Sequence, residues 1–216
     1  MFAGIGGVIL CGGKSSRMGH AKAMLPFGDK LMLQHVVNIL EPVVAPIVVA
    51  AAAGQQLPDL PASVRVVIDE QPDLGPLQGI YTGLRALADE CQAVYVTSCD
   101  VPLLKRKVIE AVIASLQQDP LAQIAVVQES GFFHPLAGVY GTALIEQIRA
   151  LLDADQRRPL FLFEKCKTIA VQAEMLRQYD PELHSLMNLN QPQDYLDALQ
   201  IAFGSSDQGN SIFDLG

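Results

Sequence analysis

The 216-residue chain contains no apolar stretch long enough to cross a membrane. Its longest, VVAPIVVAAAA at 43–53, falls well short of the roughly 20 residues a spanning helix requires. Positive charge is scarce: 15 Lys and Arg stand against 23 Asp and Glu, for a formal net charge of -8. That balance excludes a nucleic-acid binder, because polyanions require an extended basic surface. Cysteine is sparse as well, with Cys11, Cys91, Cys99 and Cys166 scattered, no Cys-x-x-Cys pair and no histidine at zinc-finger spacing. Neither a disulfide framework nor a structural metal site fits that spacing, and buried thiols are expected. No basic segment precedes the first apolar run, and bulky Leu10 stands where a lipoprotein signal needs a small residue before its cysteine. The expectation is a soluble, cytoplasmic protein. No internal repeat is present.

What the chain does have is hydrophobic mass. Half of its residues are apolar and its mean hydropathy is +0.27. At this length about 70% of the unfolded surface can be buried, which suits one domain. That domain is expected over 1–203, with 204–216, which lacks periodicity, as a flexible C-terminal tail. Short Val- and Ile-rich runs, GVILC, PIVVAAA, VRVVI, AVYVTSC and QIAVV, read as buried strands. Between them, Leu33, Val36, Val37 and Leu40 share one helical face. So do Leu77, Ile80, Tyr81, Leu84 and Leu87, and again Ile109, Val112, Ile113 and Leu116. The order β-α-β-β-α-β-α-β predicts a three-layer α/β/α sandwich with a mostly parallel, Rossmann-like sheet. Such sheets bind ligands beyond the carboxyl ends of their strands.

Past residue 130, FFHPLAGVYG is strand-like and TALIEQIRALLDA helical. RRPLFLFEKCKTIAVQ is less regular, and an antiparallel excursion over the crevice is expected there. A last helix is expected from Pro192, an apt first-turn residue.

Against the acidic background, VILCGGKSSRMGHAKAML at 8–25 carries Lys14, Arg17 and Lys22 with no acid. Gly7 and Gly12 have Walker A spacing, but Gly13 stands where the lysine must be. A dinucleotide fingerprint from Gly4 and Gly6 fails because Ile9 occupies its third glycine position. What remains is a strand ending at Cys11 and a Gly12-Gly13 turn whose backbone N–H groups can cradle an anion, with basic side chains adding full charge. A solvated connector is the alternative.

Two further stretches fall after strands. In VTSCDVPLL, Asp100 stands at a strand's C-terminal end, suited either to hold Mg2+ together with phosphate oxygens or to cap a helix starting near Leu103. In IDEQPDLGPLQGIYTGL, Asp69 follows a strand, Gly75-Pro76 make a turn and Leu77 opens a helix. Gly79 and Gly83 inside that helix cost roughly 1 kcal/mol each relative to alanine, which calls for either tight packing on the sheet or a bound ligand.

Taken together, these pieces resemble the molybdenum cofactor guanylyltransferases within the MobA-like nucleotidyltransferase family. The resemblance rests on Leu10-Cys11-Gly12-Gly13, Ser16-Arg17-Met18-Gly19 and Lys22; on Gly75-Pro76-Leu77-x-Gly79; on Cys99-Asp100-x-Pro102 and His134-Pro135; and on Asn188-x-Asn190-x-Pro192-x-Asp194. They occur in family order over nearly the whole chain, and paired glycines after the first strand favour guanine over cytosine.

The resemblance implies that GMP passes from GTP to molybdopterin with release of pyrophosphate, and that Mg2+ is held by Asp100. Leu10, Cys11, Gly12 and Gly13 would meet the nucleotide, together with Asp69 and the Gly75-Pro76-Leu77 turn. Lys22 would contact phosphate and Arg17 the leaving pyrophosphate. His134, Arg157, Arg158, Asn188 and Asn190 are candidates for the acceptor side, and proteins that donate or accept the cofactor are candidate partners.

Two departures stand out. His20-Ala21 precede Lys22 where relatives place an acid, and AAAAGQQ follows the second strand where guanylyl members present asparagine. CTP or another phosphate acceptor, a nonenzymatic nucleotide-binding module and a P-loop NTPase are the rival readings.

Overall fold

The computed structural model describes residues 4–11, 21–69, 71 and 74–204. In chain order the elements are β1 (Ile5–Leu10), β2 (Pro26–Phe27), β3 (Lys30–Leu31), α1 (Met32–Leu40), β4 (Ile47–Ala52), β5 (Val64–Asp69), α2 (Pro76–Leu87) and β6 (Ala93–Ser98). There follow α3 (Arg106–Gln117), β7 (Ile124–Glu129), β8 (Phe132–Gly141), α4 (Ile145–Asp153), α5 (Pro159–Lys165), β9 (Thr168–Gln172) and α6 (Pro192–Phe203). A 7-stranded sheet in the order β5-β4-β1-β6-β8-β7-β9 forms the middle layer. β8 runs antiparallel to both of its neighbours, and the other pairings are parallel. β2 and β3 make a small separate hairpin.

The central strands are apolar on both faces because both faces are covered. Ile5 and Ile9 of β1 face the core shared with α1 and α3, while Val8 and Leu10 face the core shared with α2, α4 and α5. The expected three-layer sandwich is therefore the observed fold. The α2 glycines serve its packing: a Cβ on Gly83 would lie 2.4 Å from Val8 Cγ1, and one on Gly79 2.9 Å from Leu10 Cδ2. Close helix-on-strand contact, rather than a ligand, accounts for both.

Several expectations change. The stretch 157–172 holds α5 and then β9, which pairs parallel to β7 at the sheet edge. The uninterrupted apolar run Leu160 to Phe163 hides helical periodicity, although Pro159 at the first helical position marks the start. β5 is an edge strand with Val66 and Ile68 exposed, not a buried one. The helix after β6 begins at Arg106 with Lys105 as its N-cap, so Asp100 caps no helix. The expected tail, apart from Gly204, lies outside the described residues. No helix among the described residues is long and apolar enough to cross a membrane.

Candidate active site

The chain places β4 and β5 on one side of β1 and then returns to put β6 on the other. Ligand crevices form at such a reversal, beyond the carboxyl ends of the strands. The register pairs Leu10 with Ser98, and Cys99 N–H donates to Leu10 O at 3.0 Å. The exits of β1 and β6 therefore lie side by side.

Asp100 lies two residues past the end of β6, and both of its carboxylate oxygens are engaged. Ser98 Oγ donates to Oδ1 at 2.5 Å. Lys22 Nζ pairs with Oδ2 at 2.7 Å, with the two side chains 19% and 15% exposed. Lys22 Nζ also reaches Asn190 Oδ1 at 3.4 Å. Residues separated by 78 and 168 positions thus meet around one ammonium group.

The chain's last quarter holds this cluster together. Leu189 N–H donates to Asp100 O at 3.0 Å. Lys105 N–H donates to Ser185 Oγ at 3.0 Å, and Lys105 Nζ pairs with the fully buried carboxylate of Asp180 at 2.8 Å. Burial alone would raise the pKa of Asp180, but hydrogen bonds from Lys105 and Ser185 outweigh it and the net direction is down. Asp194 in the first turn of α6 accepts from the N–H groups of Asn190 and Gln191, which orients the loop. Lys22 opens a 3-10 turn whose following residues Leu25 and Phe27 pack against Tyr195 and Leu199 of α6. Tyr195 O–H donates to Pro26 O at 2.5 Å. From α1, the half-buried His35 holds Pro102 O through Nε2 at 2.9 Å, steadying the loop that follows Asp100.

Toward β5, a second polar group forms. Asp69 Oδ1 accepts from Gln78 Nε2 and from Gln71 N–H, both at 3.1 Å. Gly75 takes φ 82, which favours glycine, and precedes Pro76 at the start of α2. Leu77 is fully buried in the core under α2, so its side chain supports the turn from beneath. A Cβ on Gly75 would lie 3.8 Å from Arg157 O, which brings the exposed Arg157-Arg158 turn against the start of α2. Arg157 itself pairs with Asp155 at 2.6 Å.

Cys11 is buried and its carbonyl accepts from Gln55 Nε2 at 2.6 Å, while Gln55 Oε1 accepts from Ala52 N–H at 3.1 Å. The segment after β4 presents a carboxamide to the end of β1. The neighbouring Cys99 thiol and burial push the pKa of the Cys11 thiol well up, which disfavours the thiolate a nucleophile would need.

Asn188 is exposed near Asn190. His134 lies on β8 beyond Asp100's strand, opposite Val127, with Nε2 3.6 Å from Glu129 Oε2. Gly12, Gly13 and Arg17 lie outside the described residues. Ser98, Gln55 and Gln78 join the site without having been expected there. Ser98 alone carried a signal, two positions before Asp100.

Residues 7–179 match the MobA-like NTP transferase domain. The chain belongs to this family. It is 40% identical over 157 residues to a "Probable molybdenum cofactor guanylyltransferase" of Mycobacterium tuberculosis, covering 71% of this chain and 76% of that one. It is 32% identical over 194 residues to a protein of the same name from Carboxydothermus hydrogenoformans, covering 89% and 94%. Among solved structures, molybdopterin-guanine dinucleotide biosynthesis protein A from Archaeoglobus fulgidus superposes with a TM-score of 0.75 at 21% identity, over 91% of this chain and 97% of that chain. The fold is shared more widely. A 2-C-methyl-D-erythritol 4-phosphate cytidylyltransferase from Thermus thermophilus reaches a TM-score of 0.64 at 16% identity, over 91% and 98%.

Proposed function

We propose that this protein transfers GMP from GTP to molybdopterin, releasing pyrophosphate and forming the guanine dinucleotide cofactor. The observation that carries this reading is the meeting of Lys22, Asp100 and Asn190 beside the end of β1. The names of its relatives favour the guanine nucleotide and the molybdopterin acceptor. The reaction belongs in the cytoplasm on this reading.

Asp69 ends β5 and Asp100 follows β6, strands three positions apart in the sheet, or roughly 14 Å at ordinary strand spacing. A nucleoside triphosphate can span that distance, with its base toward Asp69 and the Gly75 turn and its phosphates toward Lys22. The acceptor phosphate is itself an anionic nucleophile, so no general base is needed. Catalysis then rests on holding two polyanions in line and neutralising their repulsion. Lys22 supplies one positive charge, which Asp100 and Asn190 hold at the cleft in the absence of nucleotide. Arg17 is the proposed partner of the pyrophosphate. Arg157, Arg158, His134 and Asn188 are proposed for the acceptor side.

Among the described residues no group of three or more His, Cys, Asp or Glu is placed to hold a metal. A single carboxylate still suits Mg2+, which takes one or two carboxylates and completes its shell with phosphate oxygens and water. The Lys22 ammonium at 2.7 Å marks Asp100 as a cation-holding group. Mg2+, when bound there, would neutralise phosphate charge.

The test is pyrophosphate release with molybdopterin and each nucleoside triphosphate. GTP is expected to support turnover and CTP far less. Equal or greater turnover with CTP would reject the guanylyl assignment. Tight GTP binding with no product would favour a nonenzymatic module.

A further inference from the structure

Each oxygen of the Asp100 carboxylate has a partner: Ser98 donates to one at 2.5 Å and Lys22 pairs with the other at 2.7 Å. The carboxylate's charge is already met by the Lys22 ammonium, so a divalent ion approaching Asp100 meets a like charge while Lys22 stays. Lys22 has a second seat in Asn190 Oδ1 at 3.4 Å. Its backbone is fixed by the 3-10 turn and the buried Ala23, whereas its four-carbon stem lets the ammonium swing as a point charge. Lys105, the next basic residue past the Asp100 loop, is committed to Asp180.

Resting on the reading of Asp100 as the metal-holding residue, we propose that Lys22 is a placeholder cation. In the nucleotide-free protein its ammonium closes Asp100 to divalent metal. Metal enters only together with a nucleoside triphosphate, whose phosphates draw Lys22 away. Binding thereby becomes ordered. Free Mg2+ does not load the site, and the negative charge that arrives with the nucleotide compensates the loss of the Lys22–Asp100 pair. One side chain serves as counter-ion of the carboxylate in one state and of the phosphates in the other.

The experiment measures Mn2+ binding to the full chain by water-proton relaxation, with and without the α,β-methylene analogue of GTP, which cannot turn over. Wild type is expected to bind Mn2+ weakly alone and tightly with the analogue. Lys22→Met is expected to bind Mn2+ alone at least about tenfold more tightly than wild type, because a like charge beside the carboxylate has gone. The same variant should bind the analogue more weakly. Lys22→Gln repeats the test in a polar variant, with circular dichroism checking that both are folded. Asp100→Asn should abolish the gain when combined with either. Equal Mn2+ affinity of wild type and both Lys22 variants without nucleotide overturns the placeholder role and leaves Asp100 as a metal residue. Absence of any Asp100-dependent Mn2+ binding, even with the analogue, overturns the metal reading itself and the placeholder with it.

Discussion

Gln78, 6% exposed in the first turn of α2, donates from its side-chain amide to Asp69 Oδ1 at 3.1 Å across the end of β5. A buried carboxamide thus fixes the rotamer of a carboxylate that the proposed function places beside the nucleotide. The same amide lies 3.4 Å from Thr82 Oγ1 one turn further along α2, so the contact is tied to the helix rather than to a loose loop.

Gln78→Ala is therefore expected to act on binding more than on chemistry. Hydrogen bonds to charged groups are worth about 1.5–3 kcal/mol, so KM for GTP should rise about tenfold or more while kcat stays within about twofold. Steady-state pyrophosphate release separates the two constants. A fall in kcat at unchanged KM would remove Gln78 from this role.

Gly83→Ala tests the packing explanation of the α2 glycines. The new methyl would lie 2.4 Å from Val8 Cγ1, a fully buried atom of a central strand. Overpacking typically costs about 1–3 kcal/mol, against about 1 kcal/mol of helix propensity gained by alanine. A net loss of stability in urea denaturation with KM for GTP unchanged is expected. Unchanged stability with impaired GTP binding would restore a ligand role for this glycine.

His35 supplies a pH dependence. Burial disfavours its charged ring and lowers its pKa, and the hydrogen bond to Pro102 O only partly opposes this. With the folded value below the unfolded value of about 6.5, the unfolded chain binds more protons in the window between them. Stability should then fall as pH drops through that window. His35→Gln should flatten the slope below about pH 6.5 in denaturation series at several pH values. An identical slope in the variant would assign the effect to other groups.

How much of this was legible in the sequence differs by residue. The ends of β1 and β6 could be read directly, because a mostly apolar run broken at Gly12 or at Asp100 marks where a buried strand stops. The α1, α2 and α3 faces were legible for the same reason: Leu33, Val36, Val37 and Leu40 are all fully buried. Proximity across the chain was not legible. Nothing in the local pattern couples Lys22 to Asn190, 168 positions away, and Gln78 resembles any polar residue at a helix start until the end of β5 is set against it. α5 was hidden because Leu160, Phe161, Leu162 and Phe163 are apolar all round, although only Leu162 and Phe163 of these are buried. β5 was misread as buried because Val and Ile also suit a sheet edge covered on one face only.

On the proposed function, Lys22 and Asp100 form the phosphate and metal end of a single nucleotide cleft. A crystal grown with Mn2+ and the α,β-methylene analogue of GTP tests it most directly through the anomalous signal of the metal. A manganese peak is expected about 2.1 Å from an Asp100 oxygen, with the triphosphate against Lys22 and the base toward Asp69. Triphosphate and metal bound elsewhere, with the Lys22–Asp100 pair undisturbed, would contradict it.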